Sequence, residues 1–197
     1  MKKYLWVFLL LASNSFAQDL PKSVDVSDFD ISGVKLGMSL DEAVNAIKEK
    51  YNISDSQIKK SSGLNQVTNE SGIQLLSFVI GKSITTVRFE PSVPHDPKRK
   101  MLVSWIQYTM PWSSENVKSM EAAVLEKYGP SSYGHFNIIH SLRRWCAKPN
   151  RNPGFGCELK SGARLEYAGV TITLDDFTYK QNVIEYMDSK LKTKPSF

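Results

Sequence analysis

Ile73-Gln74-Leu75-Leu76-Ser77-Phe78-Val79-Ile80, then Gly81-Lys82, then Ser83-Ile84-Thr85-Thr86-Val87-Arg88-Phe89-Glu90, is the stretch on which the fold turns. Both arms are rich in β-branched and aromatic side chains, which suit a pleated, half-buried surface. The glycine-containing pair between them fits a tight chain reversal, so the stretch predicts a β-hairpin. C-terminal to it, Pro91 to Lys100 holds three prolines and the basic run Lys98-Arg99-Lys100. That composition predicts an exposed loop, leading to a third strand from Leu102 to Tyr108.

N-terminal to the hairpin lies a polar loop, Asn52 to Ser71, and before it an amphipathic helix. Ser39 and Glu42 make a capping box, because the hydroxyl accepts from a free amide of the first turn while the carboxylate reaches back. Leu40, Ala43, Val44, Ile47 and Tyr51 recur at helical spacing, with Asp41, Asn45, Lys48 and Glu49 on the other side. A second helix is announced by Pro111-Trp112-Ser113-Ser114 and carries Val117, Met120, Val124 and Tyr128 on one face. Gly129-Pro130 stops it, since glycine accepts a left-handed cap and proline cannot continue the hydrogen bonds.

Further strands are predicted at Tyr133 to His140, Leu142 to Cys146, Phe155 to Leu159, Arg164 to Tyr167 and Val170 to Leu174. A last helix, Phe177 to Leu191, has Val183, Ile184, Met187 and Leu191 at core spacing. Strands that follow one another without crossover helices pair antiparallel. The expected class is therefore α+β, with amphipathic helices packed on one face of antiparallel sheet. Glu49-Lys50-Tyr51 closes the first helix and Glu126-Lys127-Tyr128 closes the second, 77 positions later. The echo suits two tandem helix-plus-sheet halves.

The chain begins Met1-Lys2-Lys3, continues with an apolar run from Tyr4 to Ala12, and reaches Ser13-Asn14-Ser15-Phe16-Ala17 before Gln18. That is the order of a secretory signal, with Ser15 and Ala17 as the small residues a signal peptidase accepts. The run is far shorter than the roughly 20 residues that span a hydrocarbon core. No cysteine lies beside it to carry a lipid. The expected organisation is a signal peptide over 1–17, an N-terminal arm over 18–36 and one α+β domain over 37–197, divisible at 37–110 and 111–197. Its expected location is periplasmic or secreted.

Hydrophobic residues make up 41% of the chain, with eight Tyr, nine Phe and four Trp, which excludes global disorder. Without Lys2 and Lys3 the balance is 23 basic against 20 acidic residues. This mild excess favours an acidic protein surface or an anionic envelope polymer, and falls short of a nucleic-acid-binding signature. No later stretch is apolar enough to span a membrane.

Cys146 and Cys157 flank a segment with two prolines and two glycines, suited to a turn between strands. In an exported chain they are expected to form a disulfide that closes a loop of about ten residues and contributes about 2–3 kcal/mol. The alternative is a metal site in which His135 and His140 join the two thiolates. Its spacing lacks the short Cys-x2-4-Cys knuckle of structural zinc, so no metal and no cofactor are expected.

Phe29-Asp30-Ile31-Ser32-Gly33-Val34-Lys35-Leu36-Gly37-Met38-Ser39-Leu40-Asp41-Glu42-Ala43 resembles the opening of many uncharacterised bacterial exported proteins. Its inner part, Gly37-Met38-Ser39 with Glu42-Ala43, is similar to the helix entry of the SmpA/OmlA lipoproteins of outer-membrane assembly and of the β-lactamase inhibitor protein. Leu125-Glu126-Lys127-Tyr128-Gly129-Pro130 resembles the helix exit of the same group. The resemblance implies helices packed on an antiparallel sheet, in tandem, used to bind another protein. It carries over no binding residue, and the chain lacks the lipid-bearing cysteine of the SmpA/OmlA proteins.

Motifs for chemistry are sparse. The chain has no Gly-x-Ser-x-Gly elbow, no His-Glu-x-x-His, no phosphate-binding Gly-x4-Gly-Lys and no calcium loop. Asp175-Asp176 offers a carboxylate pair, but between a strand and a helix one acid most simply caps free amides while the other complements the helix dipole. His135 and His140 with Ser141 offer a base and a nucleophile, although a separation of five puts the two rings on opposite faces of a strand. Arg143-Arg144-Trp145, with Lys148 and Arg151 beyond, forms the candidate binding set: a cationic aromatic patch for an acidic partner. The competing reading makes Trp145 core and the arginines solvated. The expected function is a non-catalytic domain that binds another exported or envelope protein, of inhibitor or assembly type. The alternative is an exported hydrolase.

Overall fold

The computed structural model describes residues 22–136, 141–150, 156–158 and 162–191. The expected signal peptide lies outside them. Helix α1 (Leu40–Tyr51) starts as its sequence dictates: Ser39 Oγ accepts from the Glu42 amide at 3.3 Å and Glu42 Oε2 accepts from the Ser39 amide at 2.7 Å. Helix α2 (Ser114–Tyr128) is capped by the Ser113 hydroxyl on Asn116 and ends at Gly129, whose φ of 71° favours glycine. Helix α3 (Thr178–Leu191) follows Asp176, whose carboxylate accepts from the Thr178 amide at 2.8 Å.

Ahead of α1, strands β1 (Asp30–Ile31) and β2 (Val34–Lys35) make a small hairpin. The main sheet contains β3 (Lys59–Asn65), β4 (Glu70–Ile80), β5 (Ser83–Pro91), β6 (Met101–Thr109), β7 (Tyr133–Phe136), β8 (Ser141–Cys146), β9 (Ala163–Ala168) and β10 (Thr171–Asp176). All eight are antiparallel, in the order β3-β4-β5-β6-β10-β9-β8-β7. Each of the first two helices therefore precedes a four-stranded meander. The meanders join through their last strands, with Gln107 on β6 opposite Thr173 on β10. The fold is α+β, built as two tandem helix-plus-sheet halves.

The predicted hairpin reverses at Gly81-Lys82, with Ile80 opposite Ser83. The polar segment Asn52 to Ser71, in contrast, is more ordered than a loop: it holds a 3-10 turn (Asp55–Gln57) and strand β3. Sequence patterning misses β3 because it is an edge strand. Lys59 to Ser62 are exposed, and edge lysines deter pairing with another chain. Within the predicted strand Phe155 to Leu159, only Gly156 to Glu158 is described; Cys157 makes an isolated bridge to Pro149. The arm before β1 is packed rather than loose, since Val26 is fully buried and the Val24 amide donates to the Cys146 carbonyl at 2.9 Å.

One face of the sheet supplies the core. Leu76, Phe78, Val87, Val103, Ile106, Leu174, Leu165 and Trp145 share a buried cluster with Ala43, Val44 and Ile47 of α1 and Met120 and Val124 of α2. On β6 a bulge keeps this pattern: the register shifts between Arg88 and Phe89 of β5, so that Val103 and Ile106 both face inward. The apolar stripes of α1 and α2 thus meet the apolar side of a sheet whose strands alternate. Helix α3 behaves differently. Its buried Val183 is outside that cluster, and with Lys180 and Ile184 it lines a groove against Leu75, Arg88 and Glu90, on the margin of the opposite face. Among the described residues no helix is long and apolar enough to cross a membrane.

Candidate functional site

Side chains alternate along a strand, so the face turned away from α1 and α2 can be read from the register. One row runs across seven strands: Ser77, Thr86, Gln107, Thr173, Glu166, Arg144 and Tyr133. Beside it lie Leu75, Arg88, Trp105, Asp175 and Arg164. Hydroxyls, an amide, guanidinium–carboxylate pairs and one tryptophan therefore share a surface that α3 overlies only at one end.

The charges on this face are organised locally. Arg144 Nε lies 2.6 Å from Glu166 Oε2, and Arg164 Nε lies 2.8 Å from Asp175 Oδ1, each pair spanning neighbouring strands. The Arg88 guanidinium sits 4.9 Å from the centre of the Trp105 ring, a cation–π contact. Gln107 Nε2 donates to Thr173 Oγ1 at 3.3 Å, and the Tyr133 hydroxyl donates to the Asn150 carbonyl. Burial raises the Asp175 carboxyl above its ordinary range even though Arg164 pulls it down, and burial raises Glu90 likewise against Lys180 and Arg88.

Of the five residues expected to form a cationic aromatic patch, the three on β8 divide between the two faces of the sheet. Arg143 and Arg144 are consecutive on β8 and face opposite sides. Arg143 points toward α2, where Glu121 Oε1 accepts from its Nη2 at 2.9 Å and its Nε at 3.2 Å. Trp145 is fully buried and donates its indole hydrogen to the Gly129 carbonyl at 3.1 Å, which fixes the end of α2. Lys148 is exposed beyond the strand, and Arg151 lies outside the described residues. Among the described members, Arg144 alone is on the seven-strand row.

Cys146 and Cys157 form the expected disulfide, with Cα atoms 5.3 Å apart. Both sulfurs are thereby committed, which removes the thiolates from a metal site. Asp175 and Asp176 divide their roles, one paired with Arg164 and the other capping α3. His135 does not join them: β7 lies three strands from β10, and its partner Leu142 is in register with Ala168 and Thr171, four residues along from Asp175. The two backbones are about 20 Å apart by strand spacing and rise. His140 lies outside the described residues.

Trp105, Arg88, Thr86 and Thr173 were absent from the candidate set, yet their signal was in the sequence. Thr86-x-Arg88-x-Glu90, Arg164-x-Glu166 and Thr171-x-Thr173-x-Asp175 alternate polar residues with apolar ones, and Trp105-x-Gln107-x-Thr109 keeps the same period of two. Only the strand order turns these four stripes into one surface. No protein-family model matches the chain, and no curated protein or solved structure is significantly similar to it.

Proposed function

We propose that this protein is exported and acts as a non-catalytic binding domain, docking another exported or envelope protein on the face of its sheet turned away from α1 and α2. The observation that carries the reading is the division of labour between the two faces. One is consumed by α1, α2 and the core, while the other presents a row of polar and ionic groups across seven strands. Such a surface, with tryptophan and arginine beside neutral hydroxyls, has the composition of a wet, specific protein interface. The secretory leader read from residues 1–17 and the Cys146–Cys157 bridge support a compartment where disulfides persist. The resemblance to the SmpA/OmlA proteins and the β-lactamase inhibitor protein points to the same use of a tandem helix-plus-sheet unit. The mild basic excess favours an acidic partner.

Capture from a native envelope extract tests this. The wild-type protein is expected to retain a partner, and Thr86→Arg, which plants a bulky charge on the face, is expected to lower retention about tenfold or more. Lys48→Ala, on the outer side of α1, serves as the control that leaves retention intact. No captured protein under gentle conditions, or capture indifferent to Thr86→Arg, refutes the assignment of this face.

A further inference from the structure

A second feature lies away from that face, where the basic loop meets the turn between β3 and β4. The loop is held in shape: the Ser92 hydroxyl accepts from the Asp96 amide at 3.0 Å, Asp96 Oδ1 accepts from the Lys98 amide at 2.9 Å, and the Ser92 amide donates to the Lys100 carbonyl at 3.0 Å. Opposite it, Asn65 is 3% exposed and spends its side-chain oxygen on the Val67 and Thr68 amides at 2.9 and 3.1 Å. Its side-chain nitrogen is left with the Met101 sulfur at 3.5 Å, a weak acceptor. Thr68 Oγ1 is also buried and has no hydrogen-bond partner among the described residues.

Both side chains line a cleft of about 250 Å³ whose rim carries Lys98, Arg99 and Lys100. Two of those cations are engaged, Arg99 with Glu42 at 3.5 Å and Lys100 with Glu70 at 3.3 Å. Lys98 has no ion pair among the described residues. Asp41 and Glu70 line the cleft too. The first turn of α1 borders it, with Ser39 and Glu42 engaged in the capping box.

Buried polar atoms are almost always hydrogen-bonded, and an orphan in a folded protein calls for a missing partner. One water occupies about 30 Å³, a small part of this space, so a single solvent molecule does not account for it. The orphaned Thr68 hydroxyl, the Asn65 amide nitrogen with its single weak acceptor and the exposed Lys98 ammonium are all able to donate. We infer that this cleft binds a small oxyanion of the phosphate or sulfate class, free or as a monoester, held by Asn65 Nδ2, Thr68 Oγ1 and Lys98. Tetrahedral oxyanions present several strong acceptors at once, and charge-assisted hydrogen bonds to them are short and strong.

The test is an NMR titration of the whole mature protein with inorganic phosphate at constant ionic strength, following the Asn65 side-chain amide and the Thr68 backbone amide. A saturable shift at both is expected. Thr68→Val, which keeps the shape and removes the hydroxyl, and Lys98→Gln should each weaken the affinity about tenfold. Lys48→Gln, on the outer face of α1, should leave it unchanged. Repeating the titration with glycerol phosphate separates the sources, since tighter binding of the ester indicates a headgroup or polymer and tighter binding of the free ion indicates the inorganic anion. Shifts that never saturate, or an affinity indifferent to Thr68→Val, overturn the inference.

Discussion

The two halves of the molecule share a plan and differ in how they are held together. In the first, β4, β5 and β6 run 11, 9 and 9 residues, long enough for Leu76, Phe78, Val87, Phe89, Val103 and Ile106 to build the core from the sheet itself. In the second, β7 to β10 run only 4 or 6 residues. There the core depends on two large side chains, Trp145 and Tyr167, each tied to the α2 region through its polar atom: Trp145 to the Gly129 carbonyl and Tyr167 to that of Val117. The disulfide and two cross-strand ion pairs add to it. Short strands bury less area and close fewer ladder bonds, so a few strong contacts must replace many ordinary ones.

Removing those contacts is the most direct way to break the comparison. Trp145→Ala should cost about 3–5 kcal/mol, as large-to-small changes of buried aromatics do, read from urea denaturation. Hydrogen exchange should then accelerate first in β8 and β9, with β4 and β5 still protected. Replacing Cys146 and Cys157 together by alanine should cost less, about 2–3 kcal/mol, with the loss again local to the second half. If either change opened β4 and β5 to the same degree, the halves would be one cooperative unit and the contrast between them would have no energetic meaning.

The same contrast explains what could be read in advance. In the first half the hairpin around Gly81-Lys82, the Ser39–Glu42 cap and the alternating β5 residues are local signals, because each strand has room to display its own period. Strand β3 was illegible since its pairing with β4 is set by the neighbour and not by any apolar rhythm in Lys59-Lys60-Ser61-Ser62-Gly63-Leu64-Asn65. The candidate site fared worse for a related reason. Arg143-Arg144-Trp145 is contiguous in sequence, but a strand sends consecutive side chains to opposite faces, and that geometry divides the group. The row from Ser77 to Tyr133 requires knowing that β6 meets β10, a non-local pairing that no window of sequence contains.

The seam between the halves offers a smaller and sharper test, because the echoed tripeptides converge on the β1–β2 hairpin with unequal contacts. Lys127 Nζ lies 2.9 Å from Asp30 Oδ2 and 2.8 Å from the Asp30 carbonyl, which also accepts from the Tyr128 hydroxyl at 2.6 Å. Lys50 Nζ is 3.7 Å from Asp30 Oδ1, and the Tyr51 hydroxyl reaches Ser32 Oγ at 2.9 Å. Burial alone would raise the Asp30 carboxyl, but the hydrogen bond and charge of Lys127, the Gly33 amide and the charge of Lys50 together hold it below the usual range. A carboxyl depressed in the folded state lends stability that is complete above its unfolded pKa and is lost as pH falls through the folded one. Asp30→Asn should therefore cost about 1 kcal/mol at neutral pH, and the gap to wild type should close on acidification through that window. Lys127→Ala should cost more than Lys50→Ala, since only Lys127 is within hydrogen-bonding distance of both the carboxylate and the carbonyl. Equal costs for the two lysines would mean that the echo is energetically symmetric and that the closer contacts at the end of α2 add nothing.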